Sequence, residues 1–406
     1  MHQPELGAEP DAALQMRFEQ GDEVGALART YFPGGVLIDE DEHHLKEAIQ
    51  KTQDALREGV PAIFEATFAY DDVLVRVDIL EKTDAGWHIV EVKSSTGVAD
   101  THLDDIAVQR HVLEGCGLKI DKTFLMRVNR ECVFPDMSDF FLKEDVSARV
   151  QEKMPDVAGN LKKQKAALGL KEHPQIDIGP YCDEPYTCEF KPYCWRHIGK
   201  NTVFDLYGFG PVKEFEYYRA GIVDLKDLPE DFSATQRQAI QLKATRTRKP
   251  FIDKKGLGEF LDGIQYPVYY LDFETANPAI PLFDGLHPYD RIPFQFSCHK
   301  RDKEDGIMHV EFISLENKDP RRSFIEALLK AVDAPGGSQG SVVVYSSFEK
   351  GVINHLAEAF SEYKNALLSI VDRLMDLKKV VFNYYYHPDF WVPRALRRCS
   401  PRSCRV

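Results

Sequence analysis

Residues 73–95 read VLVRVDILEKTDAGWHIVEVKSS, and their pattern decides the fold. Val73, Val75, Val77 and Ile79 alternate with Leu74, Arg76, Asp78 and Leu80, so a strand is predicted with the two sets on opposite faces. A turn signal at Asp84–Gly86 leads into WHIVEVKSS, where Val90 and Val92 oppose Glu91 and Lys93. Paired as a hairpin, the strands bring Asp78 beside Glu91 and Lys93, with Val92 buried behind them. Two carboxylates and a lysine around one point suit metal-assisted phosphodiester hydrolysis. The carboxylates hold Mg²⁺ or Mn²⁺, the cation activates water, and the lysine orients the nucleophile or stabilises developing charge. A solvated Glu/Lys pair on a surface strand has the same spacing.

Working outward, residues 11–30 and 41–58 carry apolar positions at helical spacing. Downstream, THLDDIAVQRHVLEGCG (101–117) reads as a helix ending at glycine, KTFLMRVN (122–129) as a strand, and the region to 172 as charged helix. Residues 199–262 are mostly helical, with TRTRKP (245–250) as a linker. From 266 the pattern changes to YPVYYLDFET, a buried strand ending in acids. IPFQFSCHK and MHVEFISL follow as strands, RRSFIEALLKAVDA as a helix, and SVVVYSS as a strand after the loop PGGSQG. The chain is therefore read as two α/β regions joined by helices.

The 406 residues carry 51 Lys and Arg against 65 Asp and Glu, so the formal charge is 51 − 65 = −14. That balance argues against a protein that coats nucleic acid through bulk charge, but not against an enzyme that reaches it through local basic patches. No run approaches the ~18 apolar residues of a membrane span. The acidic start is no secretory signal, so a cytoplasmic chain with reduced thiols is expected.

Residues 64–80, FEATFAYDDVLVRVDIL, together with EVKSST and DDIAVQRHVL, resemble the RecB-like branch of the PD-(D/E)XK nucleases. The resemblance implies that Asp78 and Glu91 bind metal, that Lys93 is catalytic and that Gln109 lines the site, with Glu65 a further candidate ligand. The tyrosine that often follows the glutamine by four residues is Leu113 here, and QGDEVGALA (20–28) lacks the histidine often found in the first helix.

CDEPYTCEFKPYC puts five residues between Cys182 and Cys188 and five between Cys188 and Cys194, wider than the usual zinc pairs and better suited to an iron–sulfur cluster. Three unrelated cysteines are the alternative. RecB-like nucleases with an iron–sulfur staple have three cysteines after the core and one before it. No cysteine precedes Cys116 here, so a 4Fe-4S cluster would lack its fourth ligand. Either Met1 is not the natural start, or Cys116 or Cys132 supplies the fourth thiolate.

In YYLDFET, Asp272 and Glu274 share one side of the strand, as shared metal coordination requires. The motif resembles the first motif of DnaQ-like DEDD exonucleases of the ribonuclease-H fold. YSSFEKGVINHL puts Glu349 where that family has an aspartate, and Asp376 in RLMDLKKV falls where relatives carry another acid. The whole arrangement resembles a bacterial family of unassigned function that fuses the two.

By that resemblance the fold class is α/β. A restriction-endonuclease-like core (1–198) is joined by a helical connector (199–262) to an incomplete ribonuclease-H-like domain (263–390). Residues 391–406, WVPRALRRCSPRSCRV, hold five arginines and no acid; they are either a genuine basic tail or a frameshifted continuation that removes the last metal ligand. The implied function is metal-dependent hydrolysis of DNA, single- or double-stranded, with RNA also open as substrate. The other class is a nucleic-acid-binding or scaffolding protein with degenerate nuclease folds.

Overall fold

The computed structural model describes residues 4–41, 43–333 and 340–389 of a chain that divides into two compact units. The first runs to Cys194 and includes Pro278–Asp290; the second holds Trp195–Asn277 and the chain from Arg291 onward. Both are mixed α/β. Residues 391–406, with Cys399 and Cys404, lie outside the described residues, as does most of the PGGSQG loop.

In the first unit the order is α1 (Ala12–Arg29), β1 (Val36–Leu37), α2 (Leu45–Glu58), β2 (Ala62–Tyr70), β3 (Val73–Lys82), β4 (Trp87–Lys93), α3 (Asp100–Gly115), β5 (Ile120–Val128), β6 (Phe141–Asp145), α4 (Ser147–Leu168) and the single turn α5 (Lys191–Cys194). The strands form one sheet in sequence order, with β4 and β5 parallel across the α3 crossover. Strand β6 lies inside the region read as continuous charged helix. Asp71 and Asp72, both left-handed, close the β2–β3 hairpin, as a two-residue turn demands. Gly86 closes the next one, where a Cβ would stand 2.4 Å from the Lys119 carbonyl oxygen.

The sheet has two apolar faces. One packs Ile63, Ala66, Val75, Val77 and Leu80 with residues of α2, α3 and α4, such as Ala55, Ile106 and Val150. The other packs Phe64, Ile79, Val90 and Met126 against Ala28 of α1. The alternation expected for β3 therefore fails at one point: Leu80, not Ile79, continues the face of Val75 and Val77. The same slip occurs in β2, where Ile63 and Ala66 share a face. Its cause is local. Glu65 has φ 57 and drops out of the β2–β3 ladder, which pairs Phe64 with Ile79 and resumes at Ala66 with Val77.

The second unit contains α6 (Pro211–Arg219), α7 (Gln236–Thr247), β7 (Phe251–Ile252), α8 (Lys254–Asp262), β8 (Val268–Ala276), β9 (Ile292–Arg301), β10 (Ile307–Ile313), α9 (Arg321–Ala331), β11 (Val342–Val344), α10 (Phe348–Ala359), α11 (Lys364–Val371), β12 (Leu374–Asp376), α12 (Leu377–Tyr384) and β13 (Tyr385–Tyr386). TRTRKP thus begins inside α7 rather than forming a linker throughout. The main sheet has the order β10-β9-β8-β11-β12, antiparallel through β8 and parallel beyond it. Tyr269, Leu271 and Phe273 of β8 pack on α9, α10 and α11 through Phe324, Ile353 and Leu367. The strand read as buried is covered on that face only; Tyr270, Asp272 and Glu274 are exposed on the other.

Candidate active site

In the first unit the sheet opens where the acids stand. The β3–β4 ladder ends at Ile79↔Val90, and the Asp78 carboxylate takes the next freed donor, the Val92 amide, at 2.7 Å. Glu91 is 4% exposed, so it is more buried than Val92, which is only half-buried. This reverses the expected inside and outside of β4 at that step. One Glu91 oxygen accepts from the Gln109 amide at 2.7 Å, and the other meets the Lys93 ammonium at 2.7 Å. Lys93 also reaches Asp105 at 3.3 Å.

The electrostatics follow from burial and like charge. Burial, then the Glu91 charge, push the Asp78 carboxyl well above the usual range, against the Val92 hydrogen bond. Burial raises Glu65 as well; Arg76 and Arg29 oppose the shift, while Glu91 and Asp22 add to it. Burial works against the Lys93 ammonium, but Glu91, Asp105 and Asp78 outweigh it and hold the group charged. Gln109 is buried, and its carbonyl oxygen has no hydrogen-bond partner among the described residues.

Two neighbours escaped the sequence reading. His102 is buried, and burial, then the Lys93 charge, lower its pKa. Its Nδ1 accepts the Ala99 amide at 3.2 Å, so the neutral ring carries its proton on Nε2. With Asp105 and Gln109 it occupies one face of α3 at i, i+3 and i+7, a spacing visible in the sequence. Tyr289, from the segment 278–290, donates its hydroxyl to the Ser94 carbonyl beside Lys93.

The cysteines are less gathered. Cys182 is buried, with its sulfur 3.5 Å from the Gly179 amide; Cys188 and Cys194 are exposed. The Cys188 amide bonds the Cys182 carbonyl at 2.9 Å, and the Ala8 amide bonds Glu189 between the second and third cysteines. The alternative fourth thiols are engaged elsewhere, Cys116 with the Ala69 carbonyl and Cys132 with that of Asp136.

In the second unit, Asp272 and Glu274 are exposed on β8 opposite Ser297 and Gln295. Glu349, in the first turn of α10, is 4% exposed, and one of its oxygens has no partner among the described residues. Burial raises its pKa, and the charges of Asp272 and Asp376 add to the shift, so these three acids feel one another. Asp376 also caps α12, accepting the Lys378 amide at 2.9 Å.

Among the described residues, no three His, Cys, Asp or Glu side chains stand in a ready-made metal-ligating group. The acids of the first unit nevertheless fit a divalent cation. Buried carboxylates repel one another there, and an orphaned amide oxygen lies beside them; added positive charge would relieve both. The cysteines do not form such a set as placed, one buried and two exposed.

Fold and site together define a mixed α/β chain with two separate clusters of acids. Residues 269–391 match the sequence model of a family described as a domain of unknown function (DUF2779). That match spans the acids of the second unit and less than a third of the chain. No curated protein and no solved structure matches the chain. Among the described residues no helix is long and apolar enough to cross a membrane.

Proposed function

We propose that the chain is a metal-dependent nuclease, with phosphodiester hydrolysis in its first unit. The observation that carries this reading is the Glu91 carboxylate, buried, held by Gln109 and Lys93, and facing an Asp78 whose charge it disfavours. Carboxylates crowd in this way where a cation completes the site. Asp78 and Glu91, with Glu65 beside them, would hold Mg²⁺ or Mn²⁺, which would supply Lewis-acid activation of water and neutralise charge at the phosphate.

The remaining roles belong to the chain itself. Gln109 fixes the rotamer of Glu91. Lys93 is held protonated, so it acts as a fixed positive charge toward the phosphate oxygens rather than as a general base. The RecB-like and DnaQ-like resemblances support this reading, the second as an exonuclease-type partner built on Asp272, Glu274, Glu349 and Asp376. An iron–sulfur cluster on Cys182, Cys188 and Cys194 belongs to the same proposal only if the three thiols gather from the positions they hold here.

The test is cleavage of end-labelled single-stranded and duplex DNA, and of RNA, by the full chain with Mn²⁺. Lys93→Ala should abolish it and Asp272→Ala should leave it. Binding without metal-dependent cleavage by the wild type would sink the enzyme reading.

A further inference from the structure

The stretch QRQAIQLKATRTRKPFIDKK (236–255) holds seven Lys and Arg and a single acid, so its charge is 7 − 1 = +6 within a chain of −14. The structure sorts these cations. The Arg237 guanidinium is stacked over Phe382 at 4.6 Å and Tyr386 at 5.5 Å, and Lys255 lies 3.9 Å from Glu259. Lys243, Arg246, Arg248 and Lys249 are exposed, and none has a carboxylate partner among the described residues.

The four cations are not a bare charge run. Lys243 and Arg246 line a hollow of about 330 Å³ with Glu230, Phe232, Leu242 and Thr247. Arg246 is anchored by one Nη2 bond to the Leu228 carbonyl at 2.7 Å, which leaves four of its five N–H donors for another acceptor. Phe232 is half-buried, its ring braced edge-on by Phe209 and Tyr217 at 5.7 and 6.0 Å. A helix C-terminus favours cations through its dipole, and that accounts for Lys243 and Arg246. It does not account for Arg248 and Lys249, which follow the helix, nor for the aromatic ring that shares the hollow with Lys243 and Arg246.

We propose that the end of α7 is a binding site for a single-stranded nucleic acid. Lys243, Arg246, Arg248 and Lys249 would take successive phosphates, and an unpaired base would lie against Phe232. An acidic protein repels a polyanion at long range, so any strand it holds must be held by a local cluster of cations not taken up in ion pairs. An aromatic wall is of use to a base only when that base is unstacked, which favours a single strand over a duplex. The proposal rests on the nuclease reading only for the kind of partner, and binding can be measured without cleavage.

The experiment uses the full chain in EDTA and a fluorescein-labelled oligonucleotide, with anisotropy read across a salt series from about 50 mM upward. Single strands should bind more tightly than the matched duplex. Replacing the four cations by alanine should lower the slope of log affinity against log salt by about 2 to 3, roughly 0.7 for each cation. Exchanging them as K243R/R246K/R248K/K249R should restore the slope. Phe232→Leu keeps an apolar core and should weaken single-strand binding about tenfold with the slope unchanged. Lys318→Ala, which removes a surface lysine paired with Glu316, should bind as wild type. If the quadruple variant fails to fold, the four single alanine variants decide, each expected to remove about 0.7 from the slope. An unchanged slope, tighter duplex binding, or no binding by the wild type at low salt would each overturn the proposal. Metal-dependent cleavage that survives Lys93→Ala would instead overturn the nuclease reading and leave this one standing.

Discussion

Glu65 and Asp78 stand opposite each other at the single step where the β2–β3 ladder lapses, between Phe64↔Ile79 and Ala66↔Val77. Glu65 takes a left-handed backbone there, which costs a non-glycine residue about 1–3 kcal/mol. The lapse changes the faces of both strands at once, and it falls on two acids that burial pushes upward. A fold tolerates strain and carboxylate repulsion at one spot when a ligand relieves them.

The first prediction follows from Asp78. Its pKa is raised in the folded chain, so the folded state binds that proton more tightly than the unfolded one. The resulting stability is present in acid and is lost as pH rises from the ordinary carboxylate range through the raised value. Asp78→Asn should therefore raise Tm in EDTA at neutral pH, by about 2–4 °C for each kcal/mol of relieved penalty, with little gain near pH 4. Mn²⁺ should stabilise the wild type and not the variant. A metal-independent Tm that is unchanged at both pH values would remove the argument from buried charge.

Gln109 gives the second. Gln109→Leu removes the donor to Glu91 and leaves a buried carboxylate short of one hydrogen bond, a loss of about 1–3 kcal/mol. Metal-dependent cleavage should fall about tenfold or more, because Glu91 loses the donor that fixes its carboxylate. Cleavage that stays at the wild-type rate while stability falls would give Gln109 a packing role only.

Much of this site was legible in advance. Strict alternation in VLVRVDIL and HIVEV gives the strands, and Glu-x-Lys gives two functional groups two residues apart. What alternation cannot show is a lapse in the ladder, because Glu65 has no sequence mark of a left-handed residue; a glycine or asparagine would have carried one. Alternation alone therefore puts Ile79 and Leu80 on the wrong faces and turns Glu91 outward, whereas the folded chain buries it. His102 and Asp105 were readable from the helical spacing to Gln109. Tyr289 was not, since its 195-residue separation from Ser94 leaves no local signal.

The third prediction separates two roles of Asp376. As the cap of α12 it accepts the Lys378 and Lys379 amides, so Asp376→Ala should cost about 0.5–2 kcal/mol. Asn caps equally well, so Asp376→Asn should keep the melting temperature. If Asp376 also serves a cation with Asp272 and Glu349, the Asn variant should lose Mn²⁺-dependent stabilisation of the second unit. Calorimetry with and without Mn²⁺ reads both effects.

The fourth concerns the thiols, which differ in access before any cluster is considered. Cys132 and Cys298 are buried, and burial pushes both up to about 11, so neither is thiolate near neutral pH. Alkylation of the native metal-free chain should label Cys188 and Cys194 early and these two last. Anaerobic reconstitution with iron and sulfide should then protect Cys188 and Cys194. Cys116 serves as the internal reference, since it is exposed and its sulfur is bonded to the Ala69 carbonyl. Should Cys116 become protected together with the triplet, it would be the fourth ligand and β2 would have to release it. Labelling of Cys188 and Cys194 at the metal-free rate, with no iron retained, would leave the triplet as three ordinary cysteines. Peptide mass mapping of the alkylated chain distinguishes these outcomes.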